Sequence, residues 1–429
     1  MRILVIGAYG LVGGYVTARL LGEGHEVVGL GRETRVARRR FPKVRWVDAD
    51  LRDMTADRWA AALLGSIDAV VNCAGALQDS PRDDLRAVHV RAVTELARAC
   101  ERHGVRRFVH ISAVGVERGE GRFQHTKHEA EAALRATNLD WIILRPGMVL
   151  APAAYGGSAL LRGLAAFPFA IPAIRPDAIV QVVSVDDVAL AVVRALTVPT
   201  AGFTCDLVSA ERTSLGDILR AFRSWLGLPD ARVIAAPPWV AALAAVLADA
   251  LAWLGWRSPM RSAAMRQLAG GVTGDSDEAN SRLGFSPRGL VETLSGWPSG
   301  VQERWFAHLY FLKPTMLATL VAFWAVSGVV GFASHARAVE LLTDAGIPAG
   351  MADAFVVGGS ILDISLAILV AFRATAPLAL RAMILVTAGY LSAASVWVPQ
   401  LWADPMGPLV KSLPAAVLAL VALAVMDER

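Results

Sequence analysis

Apolar and polar positions change rhythm three times along the chain. Over residues 2 to 150, short β-branched runs alternate with amphipathic stretches of ten or more residues. The runs are Ile3 to Ile6, Glu26 to Leu30, Val44 to Val47, Ala69 to Asn72, Phe108 to Ile111 and Trp141 to Leu144. This alternation predicts βαβ units and a parallel sheet covered on both faces. From about 151 to 235 the pattern is less regular: a Pro-rich stretch, Pro168 to Pro176, precedes the strand-then-helix signal VQVVSVDDVALAVVRAL. Asp186 or Asp187 is expected to cap that helix, and the whole segment reads as a smaller lobe closing over the first.

The segment PPWVAALAAVLADALAWLGW, 237 to 256, has the length of a membrane span, but carries Asp249 in its second half and tryptophans towards its ends. It reads as a helix lying on a membrane face or packed on the lobe. Beyond Trp305 the apolar runs lengthen. Residues 315 to 333 hold no charge, and three further stretches follow at about 351–372, 378–399 and 407–426. Four such runs in succession predict a four-helix transmembrane bundle. The expected architecture is therefore α/β, a doubly wound parallel sheet (1–150) with a small substrate lobe (151–300), followed by an all-α membrane domain (301–429).

Composition agrees with this division. In 429 residues, 55% are hydrophobic and only 19% charged, where ordinary soluble domains are nearer one quarter charged. The net charge of +4 is scattered, apart from the arginines at 35 to 40, so nucleic acid is excluded as the expected partner. Cys73, Cys100 and Cys205 are an odd number without metal-ligand spacing and read as core thiols, with no metal expected. MRILVIGAYG enters a strand directly, so no removable signal is expected. Arg304, Lys313, Arg373 and Arg381 outnumber Arg337 and Lys411 across the spans. That bias places the N-terminal domain and both chain ends on the cytoplasmic side of a cell (inner) membrane.

Chemistry enters after the first strand, where Gly7, Tyr9, Gly10, Leu11, Val12 and Gly13 form a GxxGxxG turn running into a helix. Missing side chains let backbone approach a pyrophosphate, and the helix N-terminus offers it free N–H groups. The second strand ends at Leu30-Gly31-Arg32, where an NAD-binding protein usually carries an acidic residue for the ribose 2′-hydroxyl. Arg32, with Arg35 and Arg38 nearby, suits a 2′-phosphate instead, so NADP is favoured, with NAD as the alternative.

With GAYGLVG, DADL (Asp50, Leu51), NCAGAL (Ala74, Gly75, Ala76), HISAVG (Ser112) and LRPGMVL (Arg145, Pro146, Gly147), residues 1 to about 300 resemble the extended and atypical short-chain dehydrogenase/reductases. The resemblance implies that Asp50 and Leu51 bracket adenine, and that Ala74 and Gly75 meet the nicotinamide-side ribose. It also implies a catalytic Ser with Tyr-x-x-x-Lys on one helix face. Ser112 and Lys127 match, but Phe123 stands where the tyrosine belongs, and a phenyl ring has no proton to give. His125, His128 and Tyr155 are the candidate substitutes, the two histidines offset from the 123/127 face and Tyr155 on a different segment; Tyr155 is set beside Ser112 and Lys127 as the third catalytic residue. Lys127 can still bind the nicotinamide ribose without catalysis.

The tail from about 305 to 426, with RWFAHLYFLKP at its start and WADPMGPLVK near its end, is similar to DoxX-like membrane domains. That likeness suggests a quinone-side role. Asp363, near the middle of the second span, should face the bundle interior. The expected function is a membrane-anchored NADP(H)-binding oxidoreductase acting on a hydrophobic or membrane-delivered small molecule, quinone or lipid-like. The alternative is a non-catalytic NADP(H)-binding module. A pore or transporter has only Asp363 in its favour.

Overall fold

The computed structural model describes residues 1–63, 66–80, 83–119, 121–256, 260 and 271–426. The described residues divide into two compact units. The first takes in Met1–Asp249 and the described residues from there to Ala307, apart from the short segment that begins at Ala250; the second takes in that segment and the chain from His308.

In the first unit the strands are β1 (Arg2–Ile6), β2 (Glu26–Gly31), β3 (Arg45–Asp48), β4 (Ala69–Asn72), β5 (Arg107–Ile111) and β6 (Asp140–Pro146). Between them run α1 (Leu11–Gly22), α2 (Thr34–Arg40), α3 (Ala56–Leu63), α4 (Ala92–His103) and α5 (Arg122–Arg135). A π-helical turn, Arg86–Arg91, leads into α4. Apart from the edge strand β3, the strands are buried along nearly their whole length because helices cover both faces, which is why they read as continuous apolar runs.

The sheet does not stop at residue 150. After β7 (Met148–Leu150), α6 (Gly156–Ala165), β8 (Ile171–Ala173), β9 (Ile179–Val180), β10 (Val182–Ser184) and α7 (Val185–Thr197), the chain returns as β11 (Phe203–Leu207). This strand pairs parallel with β6, giving seven strands in the order β11-β6-β5-β4-β1-β2-β3. FTCDL alternates apolar and polar residues at a sheet edge, a pattern too short to announce itself in the sequence. The helix before it is capped by Ser184, whose Oγ accepts the Asp186 N–H, rather than by Asp186 or Asp187; Asp187 pairs with Arg288 instead.

The lobe keeps β8, paired with β13 (Val233–Ala235), and α8 (Leu215–Trp225), after the short β12 (Thr213–Ser214). It is pinned by Arg162 of α6, buried against the faces of Phe222 and Trp225 while donating to the carbonyls of Ala151 and Pro152. α9 (Pro238–Trp253) follows, then α10 (Asp277–Leu283) and α11 (Leu290–Ser295).

Among the described residues three helices are long and apolar enough to cross a membrane: α12 (Val301–Ala333), α14 (Ala349–Ala371) and α15 (Ala376–Trp397); α13 (His335–Asp344) separates the first two. The expected fourth span, 407–426, is not confirmed: among the described residues its helix, α16 (Ser412–Ala424), has 13 residues, about 20 Å against a hydrocarbon core of about 30 Å. Residues 407 to 411 form turns instead, because Gly407 takes φ +58° and Pro408 follows it. Within the second unit Leu320, Trp324, Val370, Leu380, Met383 and Ala422 make a core. Large side chains such as Val326, Ile368, Leu385 and Val396 point outward. An outward apolar surface of this extent suits lipid rather than water. Asp363 faces inward as expected, accepting from Ser327 Oγ of α12 (2.7 Å) and Tyr390 OH of α15 (3.0 Å).

Candidate functional site

The strand order reverses direction between β1 and β4, so a crevice opens at their carboxyl ends. Two loops meet there. Gly7, at φ +71°, turns the chain out of β1; a Cβ on it would lie 3.1 Å from the backbone of Ala74. Gly13, in the first turn of α1, is packed so closely that a Cβ would sit 2.1 Å from the Gly7 carbonyl oxygen. Leu11 and Val12 open α1 behind Gly10, and their N–H groups have no partner inside the helix. A cradle of bare backbone therefore faces the end of β4.

The adenosine end is built by β2 and β3. Tyr9 lies over Gly31, where a Cβ would meet its ring at 2.2 Å, and its hydroxyl accepts the Glu33 N–H (3.3 Å). Arg32 reaches Asp83 (2.8 Å). Arg38 pairs with Asp48 (2.7 Å), which also accepts from Thr34 Oγ1; these donors hold the Asp48 carboxyl below its ordinary range. Asp50 caps the turn at Leu51 by accepting the Arg52 N–H and pairs with the Arg52 guanidinium. Arg35 is exposed, without an ion-pair partner among the described residues, and lines a shallow depression with Thr34 and Arg38.

At the other end, Lys127 Nζ donates to the Ile111 carbonyl (2.8 Å) and lies below Gly75. Burial pushes this lysine down to about 8, against the opposing pull of Glu131. Ser112, next along from Ile111, is 5% exposed, and its Oγ has no hydrogen-bond partner among the described residues. Phe123 occupies the position one helical turn before Lys127 and sets its ring edge-on to His89, with centroids 5.6 Å apart.

His89 is a residue the sequence reading passed over. Its Nε2 accepts the Ala76 N–H (3.1 Å), so Nδ1 carries the proton and faces Thr126 Oγ1 (2.8 Å). Burial, reinforced by the Lys127 charge, pushes His89 down to about 2. It is a fixed neutral pin joining the β4 loop to α5. Asn72 extends this network: its Oδ1 accepts the Ala74 N–H and its amide meets His110 Nδ1. The π-helical turn around His89 is the local signal of a functional position, and it is visible only in three dimensions.

The proposed substitutes for the missing phenol are not gathered on this face. His125 is exposed, and His128 is turned towards Glu117 and Glu131. Those three side chains lie close enough to suggest a cation, yet Arg145 and Arg135 already engage the carboxylates. A dication there would meet two guanidinium charges. Tyr155 precedes α6 on the lobe, 38% exposed, and no hydrogen bond joins it to Ser112 or Lys127. Pro146 ends β6 and Gly147 follows it; a Cβ on Gly147 would fall 2.5 Å from the Gln181 carbonyl oxygen. The three cysteines are free thiols that burial pushes up to about 12, so none is a ready nucleophile.

The residues fit a pyridine dinucleotide: bare backbone where its pyrophosphate would lie, and an unpartnered buried hydroxyl where its nicotinamide end would reach.

Comparison with known proteins agrees. Residues 7–199 match the NAD(P)H-binding family and residues 321–420 the DoxX-like family. An uncharacterised protein of Mycobacterium tuberculosis is 32% identical over 199 residues, 46% of this chain and 20% of its own length. The match thus spans about a fifth of that relative. UDP-glucose 4-epimerase of Mycolicibacterium smegmatis is 34% identical over 126 residues, 27% of this chain and 39% of its own. The structure of UDP-glucose 4-epimerase from Bifidobacterium longum, in complex with NAD+ and UDP, superposes with a TM-score of 0.53. It is 16% identical, over 69% of this chain and 96% of the other, a likeness of fold. Residues 7–199 are thus similar to NAD(P)H-binding, Rossmann-type domains and residues 321–420 to DoxX-like domains.

Proposed function

We propose that this protein is a membrane-anchored, NADP(H)-binding oxidoreductase acting on a hydrophobic or membrane-delivered substrate, with its nucleotide-binding domain on the cytoplasmic side. The observation that carries this reading is Ser112: a buried hydroxyl without a partner, beside the carbonyl that holds Lys127. Such an atom is costly unless a ligand satisfies it. A bound nicotinamide would supply or take up a hydride. Gly7 to Gly13 would hold the pyrophosphate, Asp50 and Leu51 the adenine, Arg35 with Arg32 the 2′-phosphate, Ala74 to Ala76 and Lys127 the nicotinamide ribose, and Pro146 and Gly147 the wall behind it. Ser112 would donate to an oxygen of the substrate, and Lys127 would release a proton near pH 8 rather than near 10.5. Quinones suit this site, since their reduced oxygens can take protons from solvent without a side-chain phenol. The lobe following β7, with Tyr155 at its entrance, would close over the substrate.

Detergent-purified full-length protein should oxidise NADPH with a quinone or an apolar carbonyl as acceptor. NADPH binding without turnover on any of them would establish the second reading, a non-catalytic NADP(H)-binding module. Phe123 and the neutral, immobile His89 favour that reading. Phe123→Tyr separates the two: in an oxidoreductase that works without the phenol, quinone turnover changes by less than about tenfold, whereas restoring a lost general acid raises carbonyl turnover by about 100-fold or more.

A further prediction concerns cofactor choice. Arg35→Ala should weaken NADPH binding about tenfold while leaving NADH binding within about twofold, since only the 2′-phosphate would use a guanidinium there. Parallel titrations with the two nucleotides check it, and equal losses would remove the assignment.

A further inference from the structure

α9 is almost wholly apolar, and most of it is uncovered: only Ala245 and Ala248 are buried. Trp239 is 69% exposed, Val246 64% and Trp253 82%. The paired strands β8 and β13, which lead into α9, add Phe169 (93% exposed) and Ile234 (56%). Beside them lies a shallow concavity lined by Arg220, Arg223 and Arg232 with Asp230, Arg220 being paired with Asp217. In water an apolar surface of this kind is a liability.

The continuation of the helix says what covers it. Within the second unit, the Leu254 carbonyl accepts the Arg373 N–H (2.9 Å) and Trp256 Nε1 donates to the Ala371 carbonyl (2.7 Å). The Arg373 guanidinium rests 5.5 Å over the Trp256 ring. Ala371 ends α14 and Arg373 belongs to the short link from α14 to α15, two helices long enough to span. Such a link lies at a membrane surface, so the C-terminal end of α9 is fastened there. At 16 residues, α9 is about 24 Å long, and no part of it is farther than that from this anchor. Tryptophans at both ends and arginines alongside are the chemistry of the bilayer boundary.

We propose that α9 lies in the membrane plane, its apolar face together with Phe169 and Ile234 sunk about 5–10 Å into the headgroup and acyl boundary. Arg220 and Arg232 meet anionic headgroups. The proposal rests on the α14 and α15 helices crossing a bilayer and not on the nucleotide chemistry.

The test places an environment-sensitive fluorophore on Leu243→Cys or Trp239→Cys in full-length protein, reconstituted into phosphatidylcholine vesicles containing phosphatidylglycerol. His103→Cys, at an exposed position on α4, is the aqueous reference, and Ile368→Cys on α14 is the reference within the bilayer. Burial holds the native thiols in their unreactive form, so they label slowly at neutral pH. The expected result is blue-shifted emission at 243 and 239, quenched severalfold more by lipids spin-labelled near the headgroup than at His103→Cys. Quenching no greater than at His103→Cys, with Ile368→Cys quenched, overturns the proposal while leaving the spans intact. Loss of quenching at Ile368→Cys overturns the spans as well. Blue-shifted emission at 243 without lipid quenching, growing with protein concentration in detergent, overturns it in favour of a second copy of the chain.

Discussion

The Gly13→Ala protein is expected to bind NADPH at least about 100-fold more weakly than the parent chain, a loss of about 2.7 kcal/mol or more. The added Cβ would lie 2.1 Å from the Gly7 oxygen, 2.9 Å from the Gly7 carbonyl carbon and 3.2 Å from the Ala8 Cα. All three are backbone, so no flexible side chain can swing away. Gly7 cannot retreat, because it is already held at φ +71° with the Ala74 backbone 3.1 Å from its own Cβ direction. Relief requires the first turn of α1 to move off β1, which takes the free N–H groups away from the pyrophosphate. Neighbouring glycines provide a graded control. Gly10→Ala meets the Gly7 oxygen at 3.2 Å and should weaken binding modestly. Gly14→Ala finds its nearest atom at 3.9 Å and should bind as the parent does. NADPH titration of the three variants in detergent, with far-ultraviolet circular dichroism as a check on folding, reads the series. A Gly13→Ala protein that binds at parental strength would show that the turn is not the nucleotide cradle.

The second large effect is one of stability. Glu131 is fully buried and accepts from Arg145 through both carboxylate oxygens, at 2.9 and 2.5 Å, while Arg135 adds a third contact at 2.9 Å. Arg145, at the end of β6, is 8% exposed. Glu131→Ala should therefore destabilise the first unit by about 3–5 kcal/mol, because it leaves a guanidinium buried with only Glu117 beside it. Thermal unfolding should begin roughly 10 °C lower. Replacing both partners, Glu131→Met with Arg145→Leu, should recover most of that loss, since the penalty lies in the unpaired charge. Arg135→Met, which removes the more exposed contact, should cost far less. Unfolding of Glu131→Ala at the parental temperature would mean that water reaches Arg145.

These two predictions draw on different amounts of sequence. The Gly7 to Gly13 turn could be read directly, because its spacing, the strand before it and the helix after it are contiguous. The ion-pair cluster could not. Arg145 appeared only as part of LRPGMVL, and Glu131 as an unremarked residue of a helix; 14 positions separate them. His89 is a sharper case, since its partners Ala76 and Thr126 lie 13 and 37 positions away. A histidine amid VHVRAV has no periodic signature, and only the meeting of the π-helical turn with the β4 loop and α5 fixes its tautomer and keeps it neutral.

Fold and membrane character were likewise legible to different depths. Six strands and their helices stand in the sequence because burial on both faces demands unbroken apolar runs. β11 does not, since an edge strand needs only alternate apolar residues. For the tail, hydropathy found every apolar segment but could not tell 13 helical residues from a span, because the glycine and proline turn that shortens α16 is itself apolar.

By itself, then, the sequence determined the parallel α/β architecture, the glycine turn between the first strand and helix, the absence of a phenol at position 123 and the membrane character of the tail. Each depends on residues adjacent in the chain or repeating at the period of a helix or strand, where local sterics and solvation suffice. Tertiary structure decided the seventh strand, the length of the last apolar helix, the neutral state of His89 and the unpartnered hydroxyl of Ser112. Those depend on which distant groups meet in a low-dielectric interior, where a hydrogen bond or a buried charge takes its energy from neighbours that the chain order does not reveal.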